Sequence, residues 1–264
     1  MSRLNLTSLR KMKVEQNKIA VLTAYDASFS HVLEHAGVDV ILVGDSLGMV
    51  IQGQESTLPV TVDDMVYHTG NVIRGSESVF VIADMPFMSY ANTDQAVSNA
   101  ARLMAEGGAQ MVKLEGGAVV ADTVKQLTER GIPVCAHLGL LPQSVHRLGG
   151  YRVQGRDAGG AEQLVKDAKT LQDVGADMLV LECVPAELGK RVTAAVDIPV
   201  IGIGAGNSCD GQVLVLYDML GITPGKRPRF SHDFLAETGA IPAAIAQYVG
   251  DVKSGKFPTL DQQY

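Results

Sequence analysis

The feature that most limits the fold of this chain is a recurring unit. A short, β-branched apolar run is followed by an amphipathic segment, and the pattern then repeats. The runs are Ile19–Tyr25, Val38–Gly44, Val79–Asp84, Met111–Glu115, Pro133–Leu138, Met178–Glu182, Pro199–Gly204 and Val213–Tyr217. None alternates apolar with polar residues. A continuous run suits a strand buried on both faces, as in a parallel sheet covered by helices.

The segments between the runs carry helical spacing. Ala161, Leu164, Val165, Ala168 and Leu171 share one helix face, as do Val120, Val124 and Leu127. Thr93-Asp94 starts a helix running to about Glu106, and Gly37, Gly107, Gly131 and Gly175 stand where helices should end. Eight such units predict a (β/α)8 barrel, a single domain over residues 1–264. A doubly wound open sheet is the alternative. One irregularity is expected: Ala205–Gln212 is too short to hold a full helix, so the connection between strands seven and eight is degenerate. Ala236–Val252 reads as a last helix.

Composition narrows the function classes. With 46% of 264 residues apolar, the chain can bury a large core, and no linker or low-complexity stretch divides it. A net charge of −7 gives no electrostatic ground for a nucleic-acid partner, and 5% aromatic residues with no Trp argue against base-stacking surfaces. Met1–Lys13 is basic but no apolar stretch follows, and no apolar run nears the ~20 residues that cross a bilayer. A soluble cytoplasmic protein without a membrane partner is expected. The three cysteines, Cys135, Cys183 and Cys209, are odd in number and form no CxxC, so neither a disulfide framework nor a zinc knuckle is indicated.

Aligning the strands at their C-terminal ends exposes the chemistry. They end in or just before Asp26, Asp45, Asp84, Glu115 and Glu182, with His137 on the fifth. In a barrel these ends converge on one mouth. So many carboxylates would repel one another without a cation and a lysine. Lys113, two residues before Glu115, points to the same side of its strand. Asp45, Asp84 and Glu115 form an all-oxygen ligand set that favours magnesium or manganese over zinc. A 2-oxo acid chelated there would be polarised for enolisation by a nearby carboxylate base. For any single residue a plainer reading stays open. Asp26 suits a helix cap, His137 a hydrogen-bonded core residue, and His31, His35 and His68 suit helix surfaces.

Two long segments leave the same mouth, Leu47–Asp64 and Gly139–Gly160. Segments of this length in a compact domain are usually functional lids. The second carries Arg147, Arg152 and Arg156, which either hold an anionic substrate tail or are simply solvated. Gly202-Ile-Gly-Ala-Gly206 lacks the third glycine and the following helix of a dinucleotide fingerprint, and reads as a tight strand-end turn.

These motifs carry a resemblance. Leu42-Val-Gly-Asp-Ser-Leu-Gly-Met49, Ser56-Thr-Leu-Pro-Val60, Ala83-Asp-Met-Pro-Phe87, Val112-Lys-Leu-Glu-Gly-Gly117, His137-Leu-Gly-Leu140, Leu181-Glu-Cys-Val-Pro185 and Ile201-Gly-Ile-Gly-Ala-Gly-Asn207 closely resemble the ketopantoate hydroxymethyltransferase family, in order and at every strand end, from about Thr7 to Lys256. The resemblance implies a barrel of the phosphoenolpyruvate/pyruvate type, one Mg2+ per subunit and 5,10-methylenetetrahydrofolate as co-substrate. The implied reaction is hydroxymethyl transfer to 3-methyl-2-oxobutanoate in pantothenate synthesis. It also implies that Asp45 and Asp84 bind the metal directly and Glu115 through water. Ser46 and Lys113 would hold the carboxylate and keto end of the substrate, with His137 in the pocket and Glu182 as proton acceptor. A homodecamer, with the C-terminal helix at subunit contacts, is a further implication. A lyase or mutase acting on another 2-oxo acid on the same barrel type is the rival reading. Enzymes resembling isocitrate lyase rely on a Cys in a KxCG-type loop, and no cysteine here follows that pattern.

Overall fold

The apolar runs become strands because each finds apolar neighbours on both faces. In the computed structural model, which describes residues 3–225 and 227–264, six of the eight strands are buried along their whole length. The other two lose burial only at their last residues, Gly139 and Glu182. The strands are β1 (Ile19–Thr23), β2 (Val40–Val43), β3 (Phe80–Asp84), β4 (Met111–Glu115), β5 (Val134–Gly139), β6 (Met178–Glu182), β7 (Val200–Ile203) and β8 (Gly211–Leu214). They are parallel and close in sequence order, with Ile19 beside Gly211 and Leu22 beside Leu214 at the seam.

Helix α1 (Leu6–Val14) precedes β1, and α2 (Ala27–His35) follows it. Helices α3 (Leu47–Val50) and α4 (Val62–Arg74) follow β2, α5 (Thr93–Ala105) follows β3, and α6 (Ala121–Thr128) follows β4. After β5 come α7 (Val145–Leu148) and α8 (Ala158–Asp173), and after β6 comes α9 (Ala186–Ala195). No helix separates β7 from β8, the degenerate connection expected from the sequence. Helices α10 (Leu216–Met219), α11 (Phe234–Thr238) and α12 (Ile241–Lys253) complete the chain.

Three expectations shift. The eighth strand is Gly211–Leu214 rather than Val213–Tyr217, because the chain turns into α10 where Leu216 N–H donates to the Thr23 hydroxyl at 3.0 Å. The predicted helix Ala236–Val252 is two helices, broken at Gly239, which takes φ 72°. Helix α5 starts at Thr93 as expected, capped by Asn92, whose side chain accepts from Gln95 N–H. Gly37, Gly131 and Gly175 do leave their helices with positive φ, but after α5 that residue is Gly108 rather than Gly107.

The N-terminal end of the barrel carries a repeated bracket. The residues just before β2, β4, β6 and β8 are Asp39, Gln110, Asp177 and Asp210. Each accepts a main-chain N–H from the preceding odd-numbered strand: Ala20 at 2.8 Å, Val81 at 3.1 Å, Val134 at 3.2 Å and Val200 at 2.9 Å. Each is then tied outward. Asp39 pairs with Lys253, Asp177 with Arg10 at 2.6 Å and Asp210 with Lys13 at 2.7 Å, while Gln110 donates to Leu4 C=O at 2.9 Å. The first or second N–H of each odd-numbered strand is thus held by the residue that precedes the next strand.

Candidate active site

At the opposite end the strand termini enclose a cavity of 540 Å³. Asp45, Ser46, Asp84, Lys113, Glu115, His137 and Glu182 all line it. Strand register explains the convergence. Asp84 lies beside Lys113, Glu115 beside His137, and Gly139 beside Glu182. Gly139 takes φ 92°, and a Cβ there would sit 2.1 Å from Glu182 C=O, so only glycine lets β5 and β6 close at this level. Asp26 is elsewhere: it caps α2, accepting from Phe29 N–H at 2.9 Å. The helix-surface reading of the other histidines also fits: His31 and His35 lie on α2, and His68 on α4 bonds Tyr25 C=O at 2.7 Å.

Lys113 is the centre of the cluster. Its ammonium lies 2.9 Å from Asp84 Oδ1 and 3.2 Å from His137 Nδ1. Burial opposes its charge, but Asp84, Glu115 and Asp45 outweigh that and hold it protonated. His137 is pushed the other way, by burial and then by Lys113, well below the usual histidine range. It is therefore neutral, and because the ammonium can only donate, Nδ1 accepts and Nε2 carries the proton. Nε2 stands 3.2 Å from Glu182 Oε2 without a well-formed hydrogen bond.

The carboxylates outnumber their partners. Burial, then Asp84, raises Asp45 to about 7, and burial raises Glu182 to about 8 and Glu115 well above its usual range. In Asp45, Asp84 and Glu115 one oxygen is held by an N–H group. Gln143 Nε2 bonds Asp45 Oδ2 at 2.8 Å, Asp45 N bonds Asp84 Oδ2 at 3.0 Å, and Gln143 N bonds Glu115 Oε2 at 3.0 Å. Asp84 Oδ1 has only the Lys113 ammonium, and Glu115 Oε1 is buried without a hydrogen-bond partner. Among the described residues no three His, Cys, Asp or Glu side chains close round a common point as a ready-made metal cage. That is the ordinary situation for magnesium, which is held through one or two carboxylates and keeps waters or substrate in its other positions. The orphaned hard oxygen of Glu115, in a set of four carboxylates that share one ammonium, fits such an ion.

Ser46 sits just before α3 with its hydroxyl 2.9 Å from Tyr25 OH, which also donates to Thr23 at 2.9 Å. Leu42, Val180, Ile203 and Val213 form the apolar wall. Both long segments reach the cavity, through Met49, Val50 and Thr57 from the first and Leu140, Pro142 and Tyr151 from the second. Arg147, Arg152 and Arg156 do not line it; all three are exposed. The arginines at the rim are Arg227 and Arg229, from the segment after α10. Arg227 lies 3.4 Å from Asp233, and Arg229 donates to Asp261 C=O over the ring of Tyr264. Sequence reasoning missed these, and missed Tyr25, Tyr90 and Gln143. Tyr25 had a signal, as a polar residue at the end of an apolar run; the others had none. The turn at Gly202–Gly206 clears room as expected: Gly204 has φ 63° with Phe230 and Tyr264 packed against it. No cysteine offers an acidic thiol. All three are buried, and burial pushes Cys135 up to about 12, Cys209 up to about 11, and Cys183 up as well.

Comparison with known proteins follows the same line. A family model described as ketopantoate hydroxymethyltransferase matches residues 3–260. A 3-methyl-2-oxobutanoate hydroxymethyltransferase of Nitrosococcus oceani is 66% identical over 264 residues, covering 100% of both chains. One of the same name from Alkalilimnicola ehrlichii is 58% identical over 250 residues, covering 95% of this chain and 90% of its own. Among solved structures, a 2,3-dimethylmalate lyase of the PEP mutase/isocitrate lyase superfamily aligns with TM-score 0.59 at 17% identity, covering 95% of this chain and 96% of that one. A phosphonomutase-like protein from Burkholderia cenocepacia aligns with TM-score 0.63 at 15% identity, covering 82% and 95%. These structural likenesses show the barrel type.

Proposed function

The chain belongs to the ketopantoate hydroxymethyltransferase family, and from that premise we propose how its cavity performs the reaction. The activity itself is the step of pantothenate biosynthesis in which a one-carbon donor supplies a hydroxymethyl group to 3-methyl-2-oxobutanoate. The donor in our reading is 5,10-methylenetetrahydrofolate and the product 2-dehydropantoate. Asp45 and Asp84 would hold Mg2+ directly and Glu115 through water. Bound there, the ion would polarise the keto group and acidify the neighbouring C–H.

The chain's own residues do the rest. The Ser46 hydroxyl, which donates to Tyr25 in the free site, turns to donate to the substrate carboxylate. The Lys113 ammonium faces the keto oxygen and offsets charge as it develops there, in a site already arranged before the reaction begins. Glu182 takes the proton from C3. Ionised, it gains the Nε2–H of neutral His137 as a donor 3.2 Å away, which steadies the base without protonating it. Val180, Ile203 and Val213 receive the two methyl groups. Water opens the donor's N–CH2–N bridge, breaking both C–N bonds to release tetrahydrofolate and leave the carbon as formaldehyde. The carbanion equivalent attacks that carbon, and the former water oxygen takes a proton to become the hydroxyl of 2-dehydropantoate. By the same premise the enzyme works in the cytoplasm as a homodecamer; no helix among the described residues is long and apolar enough to cross a membrane.

What supports this reading most is the placement of one buried ammonium, Lys113, between Asp84 and His137 in a cavity that Asp45, Glu115 and Glu182 also line. The test is proton NMR of 3-methyl-2-oxobutanoate in D2O with protein and magnesium, with and without tetrahydrofolate. Loss of the C3–H signal, abolished by chelator, is expected. A signal that persists under both conditions overturns the enolisation scheme.

A further inference from the structure

Gln143 lies in the 3-10 turn Pro142–Ser144 after β5 and is buried, yet none of the roles above uses it. Its amide is fully engaged. Nε2 donates to Asp45 Oδ2 at 2.8 Å and to Met85 C=O at 3.0 Å, while Oε1 accepts from Tyr90 OH. The carbonyl of Met85 can only accept, so the nitrogen end of the amide must face it, and with it Asp45. Tyr90 completes the lock from the other side, and its hydroxyl also lies 3.3 Å from Glu115 N. Gln143 N–H, finally, holds Glu115 Oε2 at 3.0 Å. One residue therefore fixes the rotation of two carboxylates on different strands. Both side chains line the cavity, and the other oxygen of Glu115 is buried and unpartnered.

We propose that Gln143, locked by Tyr90, is the positioning residue that aims Asp45 and Glu115 at the divalent cation. The inference rests on the magnesium reading above. It assigns the segment after β5 a part in ion binding that its sequence does not advertise. It also makes the orientation of an amide, rather than a charge, the determinant of affinity. Outer partners of this kind usually change metal affinity 10–100-fold when removed.

The test uses the full chain, magnesium alone as the ligand, and two variants. Gln143→Met keeps side-chain length and the backbone N–H to Glu115 but removes the amide. Tyr90→Phe removes only the lock. Magnesium affinity is read by calorimetry, and Tm is read with and without magnesium. Gln143→Met is expected to weaken magnesium binding about 10–100-fold and to shrink the magnesium-induced rise in Tm. Tyr90→Phe is expected to do the same to a smaller degree. A merely structural residue would lower Tm equally with and without magnesium and leave affinity unchanged; that result in Gln143→Met overturns the proposal. An effect in Gln143→Met with none in Tyr90→Phe overturns the part given to Tyr90. A wild-type chain that shows no magnesium response removes the metal reading itself, and this inference with it.

Discussion

The two ends of the barrel use the same residue type in opposite ways. At the N-terminal end, Asp39, Asp177 and Asp210 each have a main-chain donor and a cation of their own. At the C-terminal end, Asp45, Asp84, Glu115 and Glu182 share one ammonium, and Glu115 Oε1 has no hydrogen-bond partner. The first arrangement satisfies every group and stabilises the fold. The second leaves charge and hydrogen-bonding capacity unmet, which costs stability and creates a place for substrate. A carboxylate's neighbours, not its identity, decide which role it plays.

The largest effect should come from breaking the charged end at its centre. Lys113→Met keeps the volume of the side chain and removes the charge; kcat/KM should fall by about 10^2–10^3-fold or more. A steady-state assay checks this, and a loss below tenfold would mean that the ammonium does not face the developing charge. Next comes Glu182→Gln, which should slow C3 proton exchange by about 10^2–10^4-fold. Its effect on stability should have the opposite sign. Because burial raises the folded-state value of Glu182 to about 8, the folded chain resists ionising this group as pH rises from the ordinary glutamate range. The amide variant escapes that penalty, so the metal-free protein should melt higher than wild type by a margin that is small at pH 5 and larger at pH 8. Melting curves at the two pH values decide it. The smallest effect belongs to the other end. Asp210→Ala removes the acceptor of Val200 N–H and the partner of Lys13, and should cost about 1–3 kcal/mol in urea unfolding while leaving KM unchanged. A loss of activity beyond the loss of folded protein would break the division of labour between the ends.

How much of this was legible in the sequence depends on the range of the interaction. The strands were legible because burial on both faces writes a continuous apolar run. The residues at their ends were legible because a barrel brings every such end to one place. Lys113 and Glu115 share a strand, so their common direction follows from a period of two. Where local preference is overruled by a distant contact, the reading failed. Val215–Tyr217 is apolar enough for a strand, but the Thr23 hydroxyl holds Leu216 in the turn into α10. Gln143 is one polar residue in a polar loop, and only the fold sets it 98 residues away against Asp45. The arginines of the rim failed for the same reason: length and charge marked the loop after β5, while the rim is completed by the segment after α10.

Helix α1 has a consequence in time. It is made before any strand, yet its anchors are Asp177 and Asp210, 167 and 197 residues away from Arg10 and Lys13. A nine-residue helix is marginal on its own. At about 5–20 residues per second of synthesis, roughly 10–40 s pass before the ribosome has made the last of these partners. Through that interval Arg10 and Lys13 lack their carboxylates, and the segment is held by contacts made sooner, Leu4 with Ser78 and Gln110, so the two ion pairs of α1 are among the late contacts.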